Sequence, residues 1–200
     1  MVLYDGLSLF RSPQRYRKLK PKQVADEEPT LRQEGLRGAP LYYDCSTDDA
    51  RLTLESALGA AESGAIIATW TKAVGFDKDK NGSIVGVELE DVFTGERKTV
   101  EVSVAINATG PWTDATIGLS EAAEALPLLR PTKGIHIVVP HTRLPVKYAV
   151  VCFHPKDGRV LFAIPWGDVT YVGTTDTDYE GDPAAVRASK ADVDYLLHTL

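Results

Sequence analysis

The stretch Ile106-Asn107-Ala108-Thr109-Gly110-Pro111-Trp112-Thr113-Asp114 constrains the fold more than any other part of the sequence. Ahead of it, Val104-Ala105-Ile106 is an apolar, β-branched run suited to a buried strand. Behind it, Ala115-Thr116-Ile117 continues as a helix, with Thr113 or Asp114 as the cap. In between, Ala108 and Gly110 admit a close backbone or ligand, while Pro111 removes a donor and fixes φ. A strand, a small-residue turn and a helix start make an α/β element whose backbone N–H groups can face an anion. Many α/β proteins use such a turn only to reverse the chain, so by itself it speaks to fold class before function.

The remaining segments give a mixed α/β (α+β) reading in three parts. Residues 1–40 read as irregular: an apolar Val2–Phe10 that forms a short helix, then Pro13, Pro21, Pro29, Gly35, Gly38 and Pro40, which break the chain into loops and turns. Residues 41–120 read as a partial α/β region. Leu41–Cys45 is a short strand, Ser46, Thr47 or Asp48 caps a helix over 50–58 with Leu52 and Leu58 on its apolar stripe, Gly64 ends it, and Ala65–Trp70 is a strand. Asn81-Gly82 and Thr94-Gly95 then punctuate a three-stranded meander inserted at about 71–102, with Val85, Val87 and Leu89 alternating at period two. Residues 121–200 read as an antiparallel β region ending in a helix. The run from Ile117 to Leu129 is partly helical, and 136–140, 147–153, 159–164 and 170–173 are four β-rich runs. Ser189 or Asp192 opens the last helix, with Val193, Leu196, Leu197 and Leu200 on one face; the pattern still reads as helix at Leu200, as expected of a piece cut from a longer protein.

Composition narrows the classes of function. A net charge of −6 and a pI near 5.2 argue against non-specific nucleic-acid binding, and the basic cluster between Arg11 and Lys22 reads as a solvated face. Cys45 and Cys152 are far apart and read as unbridged thiols of a reducing compartment. His141, His154 and His198 lack metal-ligand spacing, so no metal is expected. No apolar run approaches the roughly 18 to 20 residues that span a bilayer, which leaves only peripheral membrane contact or contact through sequence outside this chain.

Four motifs in fixed order carry a family resemblance: Ile106–Asp114, Arg130-Pro131-Thr132-Lys133-Gly134-Ile135-His136, Ile164-Pro165-Trp166-Gly167-Asp168 and Gly173-Thr174-Thr175-Asp176-Thr177-Asp178-Tyr179. Together they resemble the FAD-dependent glycerol-3-phosphate dehydrogenases, flavoenzymes of the wider group similar to D-amino-acid oxidase. The likeness is weak over residues 1–40 and strong from Tyr43 onward, and Asp48, Asp49 and Arg51 resemble a D-D-A-R sequence of the family. It implies part of an FAD-binding α/β domain joined to an antiparallel substrate-binding region. The implied reaction is oxidation of glycerol 3-phosphate to dihydroxyacetone phosphate by hydride transfer to FAD, with a quinone or oxygen as the final electron acceptor.

By the same resemblance, Ala73, Val74, Ala108, Thr109, Gly110 and Trp112 meet the cofactor. Lys133, Thr174, Thr175 and Asp176 meet the substrate, and His136 is the base that takes the C2 hydroxyl proton. Read without it, His136 is structural, Lys133 solvated, Thr174 to Asp176 turn caps and Trp166 core packing beside Pro165. The implied location is cytoplasmic, with a peripheral station at the cytoplasmic face of the inner membrane through the parent protein. No G-x-G-x-x-G turn occurs in the sequence, so an interior fragment is expected that is inactive alone and purifies colourless. An amine- or amino-acid-oxidising flavoenzyme and a non-catalytic binding domain stay open as alternatives, as does the oligomeric state.

Overall fold

The computed structural model describes residues 14–120 and 127–199, so the helix expected over Val2–Phe10 and part of the run from Ile117 to Leu129 lie outside the described residues. The chain forms two compact units. Among the described residues, one comprises 14–46, Thr132–Thr177 and 186–199; the other comprises 47–120, 127–131 and Asp178–Ala185.

The first unit is organised on a four-stranded antiparallel sheet that follows the short β6 (Thr132–Lys133): β7 (His136–Pro140), β8 (Val150–Phe153), β9 (Val160–Trp166) and β10 (Val169–Gly173), in the order β7-β10-β9-β8. All four expected β runs are strands. Their alternation sends Leu161, Ala163, Thr170 and Val172 to a buried face and leaves Val138, Val151, Phe153, Val160 and Phe162 exposed on the other. Helix α4 (Lys190–Leu197) covers the buried face, where Leu161 and Leu196, both 0% exposed, pack with Ile135. Ser189 caps this helix through its hydroxyl, which accepts from the Asp192 amide at 3.3 Å, as the sequence suggests. Leu197, expected on the apolar face, is exposed. So is Trp166, expected in the core, whose ring meets Tyr171 edge-on at 6.3 Å. Both cysteines are free, and burial pushes the Cys152 thiol up.

The expected loops before residue 40 contain regular structure. Strand β1 (Arg17–Leu19) pairs antiparallel with β2 (Ala39–Leu41), and helix α1 (Pro21–Glu27) lies between them. Pro21 does not break this helix because it stands in its first turn, where a missing N–H leaves no hydrogen bond unmade. Glu28 is buried just beyond, and its carboxylate accepts from the amides of Lys147 at 2.7 Å and Tyr148 at 3.2 Å, fastening this segment beside the sheet.

The second unit opens with α2 (Asp49–Glu62), capped by Asp48, whose carboxylate accepts from the Arg51 amide at 3.0 Å. The meander follows as β3 (Thr71–Lys78), β4 (Ile84–Asp91) and β5 (Arg97–Glu101), paired in that order. Its turns depend on aspartates as well as glycines: Asp79 accepts from the amides of Asn81 and Ser83, and Asp91 from those of Phe93 and Thr94. Gly82 and Gly95 supply the positive φ that the turns require.

Three expected strands do not form as read. Ala65–Trp70 and Val104–Ile106 are without regular structure, with Val104 and Ile106 74% and 86% exposed, and of Leu41–Cys45 only Leu41 lies in a strand, as the end of β2. The expected apolar stripe of α2 is also exposed at Leu52 and Leu58. β-propensity measures fit to a paired, half-buried surface, and no strand pairs with Ala65–Trp70 or Val104–Ile106 among the described residues.

Candidate active site

The first unit brings together two segments that the sequence separates by about forty residues. His136 opens β7 directly across from Gly173, the last residue of β10. A Cβ at Gly173 would collide with the His136 ring and stand 2.8 Å from the Ile135 carbonyl oxygen, so only glycine lets the imidazole lie over that strand. Tyr171 meets the ring edge-on, with centroids 5.5 Å apart and planes at 82°. The histidine itself is exposed, on the open apolar face that carries Val138 and Phe162.

The turn before His136 is stitched to the turn after Gly173. The Ile135 amide donates to the Thr175 hydroxyl at 3.0 Å, and that hydroxyl donates to the Lys133 carbonyl at 3.3 Å. Thr177 donates to the same carbonyl at 3.4 Å, and the Thr174 hydroxyl donates to the Thr175 carbonyl at 3.0 Å. Gly134 packs so tightly under Thr174 that a Cβ would also stand 3.0 Å from the Thr175 carbonyl oxygen. Asp176 is anchored by Arg159, which donates to its carbonyl and lies 3.5 Å from its carboxylate. The hydroxyls of Thr174 and Thr175 are therefore used within the turns, while the Asp176 carboxylate is exposed.

Lys133 is neither solvated nor open to an incoming anion. Its ammonium meets the Asp192 carboxylate at 2.6 Å, with only 13% and 6% of the two side chains exposed. The hydrogen bond from Lys133, with the Ser189 amide second, draws the Asp192 carboxyl down from 3.8 to about 2. Its folded value lies below the unfolded one, so the stabilisation is complete above pH about 4 and is lost as pH falls through about 2. Lys133→Met should cost about 2 kcal/mol at neutral pH, somewhat less than most broken buried pairs because Ser189 still serves the carboxylate. In thermal melts at a series of pH values, the gap between variant and wild type should narrow from pH 4 to pH 2; a constant gap would show that the ion pair is not its source.

In the second unit, Asn107 governs the turn. Its carboxamide donates to the Thr113 carbonyl at 3.1 Å and accepts from the Thr109 hydroxyl at 2.8 Å. The expected helix start is a 3₁₀ turn (Gly110–Trp112) followed by the short helix α3 (Thr113–Gly118), without a side-chain cap. Asp114, a cap candidate, instead accepts from the amides of Leu128 and Leu129. Gly110 has φ +56 and open space where a Cβ would stand, and Ala108, Thr109 and Trp112 are exposed beside it. A turn of small residues with nothing above its glycine fits a flat or phosphorylated group resting against the backbone. Ala73 and Val74 are half-buried in β3, at the bulge where its register against β4 shifts.

Gly110→Val places a branched residue in the left-handed region, at a cost of about 1 to 3 kcal/mol, and fills the space above the turn. The melting temperature of the 200-residue chain should fall accordingly; an unchanged melting temperature would show that the turn takes the branched residue without strain.

Sequence reasoning gave no role to Asn107 or Gly173, although both stand in its motifs, and missed Tyr171 and the second role of Asp192. The local signal at Asp192, the Ser-x-x-Asp spacing of a helix start, says nothing of a lysine partner. Among the described residues, no group of three or more His, Cys, Asp or Glu could hold a metal ion, and no helix is long and apolar enough to cross a membrane.

Residues 5–200 match the family model described as FAD dependent oxidoreductase. The chain is 41% identical over 199 residues to an alpha-glycerophosphate oxidase of Streptococcus pyogenes, covering 98% of this chain and 32% of that protein. It is 37% identical over 200 residues to an aerobic glycerol-3-phosphate dehydrogenase of Staphylococcus epidermidis, covering all of this chain and 36% of that protein. The X-ray structure of the glycerol-3-phosphate dehydrogenase from Bacillus halodurans complexed with FAD superimposes with a TM-score of 0.83 at 38% identity, over 91% of this chain and 36% of that one. The chain thus spans about a third of the length of the curated relatives it matches.

Proposed function

Because the chain belongs to the FAD-dependent oxidoreductase family, we propose that it forms part of a flavoprotein that oxidises glycerol 3-phosphate to dihydroxyacetone phosphate. The observation that carries this reading is the placement of His136: an exposed imidazole over Gly173, beside the Thr174–Asp176 turn, in a chain about 40% identical to proteins named for that substrate. FAD, when bound, supplies the hydride acceptor. Ala108, Thr109, Gly110 and Trp112 would hold it from the small-residue turn, and Ala73 and Val74 would contribute backbone from β3.

His136 takes the proton of the C2 hydroxyl as the C2–H bond breaks, the task of a general base. Tyr171 and Gly173 fix the imidazole plane, so little reorganisation is needed for that transfer. Thr174 and Asp176 form the wall on which the substrate hydroxyls rest, with the exposed Asp176 carboxylate as an acceptor for a hydroxyl hydrogen, and the buried Thr175 holds that wall in place. Lys133 belongs to this substrate side through the turn it holds, its charge offset by Asp192. Electrons leave to a quinone or to oxygen, in keeping with relatives named both as dehydrogenases and as oxidases. In the quinone case the parent protein makes peripheral contact with the cytoplasmic face of the membrane.

The test is anaerobic stopped-flow bleaching of the flavin in the full-length protein. Glycerol 3-phosphate should reduce it, whereas glycine and sarcosine should not; the opposite pattern would replace this reading with amine oxidation.

A further inference from the structure

We infer that Asp192 is a positioning residue for the proton transfer: through Lys133 it latches the Lys133–His136 turn to helix α4 and so sets where the His136 imidazole stands. The inference rests on the reading of His136 as the base, and it changes the part played by Lys133. A lysine that served the substrate directly would keep its ammonium free in the cleft. Here the ammonium turns away from the open face, meets Asp192 at 2.6 Å and reaches toward the Arg187 carbonyl at 3.4 Å. Asp192 in turn holds the Ser189 hydroxyl at 2.7 Å and amide at 2.8 Å, so the helix cap and the latch share one carboxylate oxygen.

The path from this carboxylate to the imidazole is short and bonded at each step. Lys133 is three residues before His136, and its carbonyl accepts from both Thr175 and Thr177. Thr175 accepts from the Ile135 amide, the residue immediately before His136. Gly134 and Gly173 remove the side chains that would otherwise hold the two turns apart. Displacing the Lys133 side chain therefore moves a turn with no slack, and small misplacements of a catalytic group are costly: about 1 Å can cost on the order of 10²-fold in rate.

The experiment compares Asp192→Asn, Asp192→Glu and Ser189→Ala in two settings. In the full-length flavin-loaded protein, Asp192→Asn should slow flavin reduction by glycerol 3-phosphate about 10-fold or more at saturating substrate, with substrate affinity within about 2-fold of wild type. Asp192→Glu should restore most of the rate. Ser189→Ala removes one hydrogen bond to the shared oxygen but leaves Lys133 and the Ser189 amide on it, and should leave the rate unchanged. In the 200-residue chain, amide hydrogen exchange at Ile135 should accelerate in Asp192→Asn, while exchange at Ala163 and Val172 in the sheet stays as in wild type.

A normal rate in Asp192→Asn overturns the inference, as does equal slowing by Ser189→Ala. Loss of affinity at an unchanged rate also overturns it, since Lys133 would then be a direct ligand. If Asp192→Asn loses fold, exchange rises throughout the sheet, and the judgement passes to Asp192→Glu against Ser189→Ala: rate and Ile135 exchange near wild type in both uphold the latch, and slowing in both overturns it. Should wild type fail to reduce its flavin with glycerol 3-phosphate, the reading of His136 falls, while Ile135 exchange alone still decides whether Asp192 holds the turn.

Discussion

His136→Asn in the full-length flavoprotein is expected to slow flavin reduction by glycerol 3-phosphate roughly 10²- to 10⁴-fold, the usual worth of a positioned acid–base group. Flavin content and melting temperature should stay close to wild type. The imidazole is exposed and makes its ring contacts with Tyr171 and the Gly173 backbone, so the smaller amide leaves no buried partner stranded. A structural histidine would give the reverse: a loss of about 1 to 3 kcal/mol in stability with an unchanged rate per flavin-loaded molecule. Stopped-flow bleaching normalised to flavin content, run beside a melting curve, separates the two outcomes. An unchanged rate would take His136 out of the mechanism.

Gly173→Val should have the largest effect on stability of the substitutions considered, about 3 kcal/mol, at the upper end for overpacking a well-filled site. The obstruction is partly backbone: the new Cβ would stand 2.8 Å from the Ile135 carbonyl oxygen, and rotation of a side chain cannot relieve that. The remaining conflict is with the His136 ring, so the variant should lose both stability, by urea or thermal unfolding, and rate per folded molecule. Wild-type stability would mean that β7 and β10 separate more easily than their pairing from Gly173 to Val169 indicates.

Local chemistry made much of the architecture legible. Asp48 before an apolar run predicts the start of α2, Asn81-Gly82 and Thr94-Gly95 predict the meander turns, the alternation of Val85, Val87 and Leu89 predicts a meander strand, and β-rich runs between turn residues predict the four strands of the sheet. Each is decided within a few residues of chain, by a cap, a positive φ or the period of two. The motifs around Lys133–His136 and Gly173–Asp176 were visible too, but only as separate stretches.

The sequence misled where an outcome depends on partners. Ala65–Trp70 and Val104–Ile106 have the composition of strands, yet a strand exists only when a neighbour takes up its hydrogen bonds. Pro21 reads as a breaker until its place in the first turn of α1 is known. The sequence by itself determined the caps at Asp48 and Ser189, the meander turns and the β-rich runs of the sheet, because those follow from contacts within one turn or one strand. Tertiary structure alone decided that Lys133 spends its charge on Asp192, 59 residues away, that Ile135 leans on Thr175, 40 residues away, and that His136 stands over a glycine. Such pairings are settled by which surfaces meet when the chain closes its long loops, and no local propensity encodes that choice.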